Sequence, residues 1–259
     1  MKIKLTSLLW FAMILPSFSQ IIVEKTLGER VFRSGETLTF RIHYSFITGG
    51  EATISTQETM LNEKMVFHSK LMGKTSGLTD KIYKVRDIYE SFFDPDNNLP
   101  QKAIRNISEG NYRYYDEVAY YHDELYVESQ RKGKVNVPQR TLDMVSVLFY
   151  VRRLDLGSLA FNDVISFNTY FSDEVFPFYI VYKGRETISI GSGKYKCLKF
   201  VPVVEPGRLF KKEDDMTIWF SDDNNKIPVS IKFDILVGSF RCDLVRSENL
   251  KYPLAAKIK

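Results

Sequence analysis

Apolar and polar residues alternate with a period of two along most of this 259-residue chain. Leu38, Phe40, Ile42 and Tyr44 alternate with Thr39, Arg41 and His43. Beyond Gly49-Gly50, Ala52 and Ile54 alternate with Glu51, Thr53 and Ser55. Successive side chains of a strand point to opposite faces, so this pattern suits a half-buried strand and not an amphipathic helix. It predicts a hairpin in which Gly49-Gly50 turns the chain. The same alternation marks strands at 65–72, 87–93, 102–108, 112–121, 124–129, 164–171, 178–182, 185–190, 195–204, 216–221, 228–235 and 239–245. Turn residues separate them, as in Asp94-Pro95-Asp96-Asn97-Asn98 and Glu109-Gly110-Asn111. The 15 Tyr and 19 Phe, with many Val, Ile and Thr, fit a pleated, half-buried surface.

One segment departs from this period. Residues 141–154 (TLDMVSVLFYVRRL) read as a helix. Thr141 or Asp143 suits its start, Arg152 and Arg153 suit its negative end, and Gly157 lies just beyond. Its apolar residues, Phe149 among them, cover most of the circumference. A helix apolar nearly all round is buried or in a membrane, and this one is too short to span. The reading is mainly all-β, one domain interrupted by one helix packed on a sheet. The tail after Asn249 reads as loosely held.

Residues 1–19 have the form of a secretory signal peptide. Lys2 and Lys4 precede a short apolar core, and Ser17 and Ser19 give a small-x-small exit before Gln20. No Cys follows the core to carry a lipid. The expectation is a soluble, non-lipidated exported protein, in the periplasm or at the cell surface, with no transmembrane segment after cleavage. Its mature part is one antiparallel domain over 20–259. An uncleaved anchor is the alternative. Loss of Lys2 and Lys4 leaves 34 basic against 32 acidic residues, a balance of +2 with both signs interleaved. No basic stripe is present, which argues against nucleic acid as a partner.

Cys197 and Cys242 are the two cysteines. In an oxidising compartment an even pair is compatible with a disulfide, worth roughly 4 kcal/mol for so long a loop in the chain-entropy view. The strand phases are mixed. Cys242 shares one with Phe240 and Leu244, and Cys197 shares one with Tyr195, Lys199 and Val201. A bridge and two buried thiols both remain open.

The last third carries a recognisable set: Gly-x-Tyr-x-Cys at 193–197, Met-Thr-Ile-Trp-Phe-Ser-Asp-Asp at 216–223, Ile-Pro-Val at 227–229, and Gly-Ser-Phe-Arg-Cys-Asp-Leu at 238–244. Gly-Glu-Thr-Leu-Thr-Phe at 35–40 and the helix segment 143–152 complete it. Together these resemble a family of exported bacterial proteins known only as a domain of unknown function. Its fold is similar to the YmcC-like fold of a capsule-associated envelope lipoprotein. The resemblance implies an antiparallel, strongly curved, barrel-like sheet, and it implies no reaction. Each marked residue also has a structural reading. Trp219 lies near a strand end, Asp222 opens a polar turn, Pro228 starts the next strand at a tolerated position, and Gly238 turns the chain.

Candidate chemistry is sparse. Gly73-Lys74-Thr75 lacks the upstream Gly of a phosphate loop, since His68 stands there, and Gly191-Ser192-Gly193-Lys194 is followed by Tyr195 where Ser or Thr is needed. Both read as strand or turn. His43, His68 and His122 lie in separate segments and read as solvated strand residues, with no metal or other cofactor expected. Asp214-Asp215 and Asp222-Asp223 make poor catalytic pairs, because neighbours in a strand point apart. No Gly-x-Ser-x-Gly elbow occurs. The Tyr-rich stretch, with Tyr112, Tyr114 and Tyr120, suits either cross-strand core pairs or the aromatic wall of a ligand site in a barrel mouth. The expectation is a non-catalytic envelope protein that binds a glycan, lipid or protein partner. A hydrolase of envelope polysaccharide or ester is the alternative. A membrane-embedded barrel is a weaker third, given the charged strands.

Overall fold

The computed structural model describes residues 21–22, 27–44, 47–203, 216–234 and 239–258. The leader segment 1–19, Gly238 and Asp214-Asp215 lie outside the described residues. The elements in chain order are β1 (Ile21–Ile22), β2 (Thr37–Tyr44), β3 (Ile47–Leu61), β4 (Lys64–Thr75), α1 (Gly77–Ile82), β5 (Arg86–Phe93), β6 (Pro100–Glu109), β7 (Tyr112–Tyr121), β8 (Tyr126–Ser129), β9 (Gly133–Asn136), α2 (Met144–Arg152), β10 (Val164–Phe171), β11 (Glu174–Ile190), β12 (Gly193–Val203), β13 (Met216–Ser221), β14 (Pro228–Asp234), β15 (Ser239–Glu248) and β16 (Lys257–Ile258).

All sixteen strands join one sheet, in the order β1-β10-β11-β12-β13-β14-β15-β2-β3-β4-β5-β6-β7-β8-β9, with β16 on β12. Two antiparallel meanders, β2–β9 and β10–β15, are stitched by β15 pairing back onto β2, with Leu244 opposite Phe40 and Cys242 opposite Ile42. Among the described strands only the short β1 runs parallel to its neighbour, β10.

The sheet curls because α2 packs against both meanders. Val147, Tyr150 and Val151 meet Phe167, Phe200 and Phe220 of the second meander. Val145 and Phe149 meet Phe40, Phe67 and Phe93 of the first, together with Phe32. Phe149 is fully buried, edge-on to Phe32 at 4.9 Å and 5.2 Å from Phe93. The all-round apolar helix of the sequence therefore fills the inside of a curved, barrel-like sheet. Asp143 starts it, accepting from the Val145 and Ser146 amides while the Asp143 amide donates to Ser146 Oγ, a capping box.

Arg152 does not serve the helix end. It is fully buried, as is Glu36 just before β2. Its Nη1 and Nη2 donate to the two Glu36 carboxylate oxygens at 2.6 and 3.0 Å, and its Nε donates to the Asn225 carbonyl. Phe32 and Phe149 rings flank the guanidinium at 5.5 and 5.4 Å. Arg153 instead reaches the Gly28 carbonyl and Asn98.

Three expectations are corrected. Gly49-Gly50 does not turn the chain but lies inside β3. A Cβ on Gly50 would sit 2.4 Å from the Lys74 carbonyl oxygen, so the glycine serves close strand approach. The tail is docked, not loose. Asn225 bonds the backbone of Tyr252 in both directions, Asp223 accepts from the Ala256 amide, and β16 pairs with β12. Finally, Phe178–Tyr182 and Arg185–Ile190 merge into one bulged strand, β11.

Cys197 and Cys242 are free thiols. They lie on β12 and β15 with β13 and β14 between them. Three strand spacings of about 4.8 Å exceed the reach of a disulfide, whose Cα atoms lie within about 7 Å. Burial pushes each thiol up to about 12.

Two outcomes are expected. Arg152→Met strands a buried carboxylate and should cost about 3–5 kcal/mol, whereas Arg152→Met with Glu36→Leu should recover most of it, read from denaturation midpoints. At pH 8 only roughly one thiol in ten thousand is ionised at such a pKa. Alkylation followed by mass spectrometry should therefore leave both cysteines unmodified in the folded protein and label both after unfolding without reductant.

Candidate functional site

Strand phase turns Tyr112, Tyr114, Asp116, Val118 and Tyr120 of β7 to one face. Register places Asp116 opposite Arg105 of β6, and Arg105 opposite Tyr89 of β5. This face looks inward, toward the start of α2 and the end of β10. A cavity of about 40 Å3 lies there, lined by Tyr89, Arg105, Tyr114, Asp116, Tyr120 and Asp143 among others. It is at the mouth of the curled sheet, where Phe171 and Ser172 at the β10–β11 turn meet β5 and β6.

Arg105 closes this mouth. Its Nη1 donates to Ser172 Oγ at 2.6 Å, and its guanidinium lies 4.6 Å from the Tyr114 ring, 4.7 Å from Phe171 and 5.9 Å from Tyr89. Arg131 approaches the Tyr114 ring at 4.5 Å. Tyr114 is thus a half-buried ring that holds two guanidinium groups, not an open platform. Tyr120 is buried, with its hydroxyl lacking a hydrogen-bond partner among the described residues, as does the buried Nε of Arg105. Burial pushes the Tyr120 hydroxyl well above its ordinary pKa and that of Tyr170 up to about 12, so both are neutral donors.

Of the three tyrosines singled out from sequence, Tyr114 and Tyr120 come together here. Tyr112 lies at the exposed end of β7 and does not line the cavity. Arg105 and the acids beside it escape a reading for aromatics. The available signal was Asp116, a charged residue on the inward phase of β7.

Among the described residues three carboxylates line the cavity, and each is committed to structure; Glu90 meets His68 and Lys70. Asp143 Oδ1 caps α2 and Oδ2 accepts from Ser91 Oγ at 2.5 Å. Burial raises its pKa against those bonds. Asp116 accepts from Ser129 Oγ on both oxygens and from the Arg131 amide on one.

The histidines are partnered instead of freely solvated, and they lie apart. His68 meets Glu90 at 2.6 Å and stacks on Phe92, His122 meets the Pro100 carbonyl, and His43 stands 3.9 Å from Asp243. Trp219 donates its indole N–H to Glu186. Asp222 accepts from Arg185 Nε, and Pro228 opens β14.

No helix among the described residues is long and apolar enough to cross a membrane. The fold is similar to that of a β-barrel-like protein of the DUF1849 family from Brucella abortus, with a TM-score of 0.57 at 10% identity over 85% of this chain and 100% of that one. A protein of YmcC-like fold from Bacteroides fragilis aligns over 86% of this chain and 100% of its own, at 10% identity and a TM-score of 0.40. No curated protein matches the sequence significantly. The family model described as a protein of unknown function, DUF3108, matches residues 39–245, most of the chain, and the protein belongs to the DUF3108 family.

Proposed function

We propose that this chain is an exported, non-catalytic protein of the cell envelope that binds a glycan at the mouth of its curled sheet. One observation carries the choice among glycan, lipid and protein. The cavity holds about 40 Å3 and pairs the unpartnered Tyr120 hydroxyl and Arg105 Nε with half-buried aromatic rings. That volume suits one or two waters or the hydroxyls of a larger ligand, whereas drug-sized and acyl ligands need hundreds of Å3. A sugar lying across the mouth can send hydroxyls into the cavity, where they accept from Arg105 and Tyr120. The hydrolase reading fares worse, because each acid lining the cavity already has structural partners: Asp116 with Ser129, Asp143 with Ser91 and the Val145 amide, and Glu90 with His68.

Export rests on the leader-like segment before Gln20. N-terminal sequencing of protein from the envelope fraction should begin at or near Gln20; an intact Met1 on the mature species would sink that part.

The binding site is tested by titrating envelope glycan fragments into the protein and its variants. Tyr120→Phe removes a hydroxyl with no partner among the described residues, so the denaturation midpoint should hold or rise. Binding should weaken about fivefold, the loss of about 1 kcal/mol for one hydrogen bond. Affinity unchanged in both Tyr120→Phe and Arg105→Gln, or glycan turnover abolished by a single Asp or Glu change, would falsify the reading.

A further inference from the structure

The face of β15 and β2 turned away from α2 carries a second constellation. Register sets Arg41 opposite Asp243 and His43 opposite Arg241. All four share one strand phase, while Phe40 and Leu244 on the other phase enter the core. The tip of the β11–β12 hairpin curls over this face, where Ser192 Oγ donates to the Leu244 carbonyl at 2.5 Å. The tip and the four strand residues enclose an open groove of about 300 Å3.

Donors outnumber acceptors in it. Among the described residues, Asp243 is the one acid lining the groove. Its Oδ1 accepts from Ser230 Oγ at 2.6 Å and its Oδ2 faces His43, so neither oxygen is turned to a guanidinium. Arg241 Nε is buried with no hydrogen-bond partner among the described residues. The Arg241 guanidinium lies 5.7 Å from the Trp219 ring. That ring is itself anchored through Glu186 and approached by Lys199. A cation–π contact, not an acid, thus places Arg241 and leaves its donor fork free.

We propose that this groove binds a phosphoryl group through Arg41 and Arg241, with Trp219 as a positioning residue. The two arginines are diagonal neighbours across the strand pair, about 7–8 Å apart at the backbone, a span their long side chains can close on one tetrahedral anion. A phosphoryl group offers three or more acceptor oxygens, enough for both forks. The Ser189 and Ser192 hydroxyls on the hairpin wall add donors. This site shares no residue with the glycan-binding mouth, so each can fail alone.

Inorganic phosphate is the first probe, at low ionic strength, in the protein from Gln20 onward, where Trp219 is the single tryptophan. Its emission should change saturably. Arg41→Gln and Arg241→Gln should each weaken binding about tenfold, the loss of one charge-assisted contact. Trp219→Phe, followed by calorimetry, keeps an aromatic ring and should weaken it less. Vesicles of phosphatidylglycerol against phosphatidylcholine then identify the source. Capture on the anionic vesicles that phosphate competes away assigns a lipid headgroup, and saturation by phosphate without capture assigns a soluble phosphorylated compound. No saturable response to phosphate in the parent protein, or equal affinity in both arginine variants with unchanged denaturation midpoints, overturns the proposal.

Discussion

The buried Arg152–Glu36 pair is the constraint around which this fold is arranged. A guanidinium inside an apolar core is tolerable only with its charge matched and its donors used. Arg152 meets that condition by drawing three separate pieces of chain to one point: the end of α2, the segment leading into β2, and the β13–β14 turn through the Asn225 carbonyl. Asn225 then holds the C-terminal tail at Tyr252 and Pro253. Replacing such a pair by apolar groups is often neutral for stability, so its effect lies in register and placement as much as in energy.

Apolar packing supplies the rest. Phe32, Phe149 and Phe93 form one cluster with Phe67, while Tyr150 meets Phe167 edge-on at 5.8 Å. One helix thereby serves as the core of both meanders, and the sheet must curl to reach both of its sides. Curvature has two consequences for chemistry. It closes the mouth at Arg105, where residues from β5, β6, β7 and β10 converge. It also brings the β11–β12 hairpin over β15, which turns a flat charged face into a groove.

These two sites differ in character. At the mouth, acids and bases are interlocked with aromatic rings, and the spare hydrogen-bonding capacity is small and buried. In the groove, two arginines share space with a single acid that faces elsewhere. In the roles proposed for them, the first takes an uncharged, hydroxyl-rich ligand and the second an anion. Both cysteines are held protonated by burial.

Much of the architecture was legible in the chain. Period-two alternation locates β7, β10 and β13 at their observed bounds, and the apolar run near 141–154 marks a buried helix, observed as Met144–Arg152. These follow from local geometry, since strand and helix periods are properties of the backbone. The resemblance to a family known only as a domain of unknown function is matched by the DUF3108 family model. What alternation cannot supply is register between distant strands. It gave Arg152 the role of a helix-end charge, because the partner Glu36 lies 116 positions away. It left the two cysteines an open pair, because β13 and β14 come between them only in the sheet order. It grouped Tyr112 with Tyr114 and Tyr120, since phase assigns a face but not a depth along the barrel. The convergence of Arg105 with Tyr120, and of Arg41 with Arg241, was decided by tertiary structure alone, because curvature and cross-strand pairing, not sequence proximity, set which side chains meet.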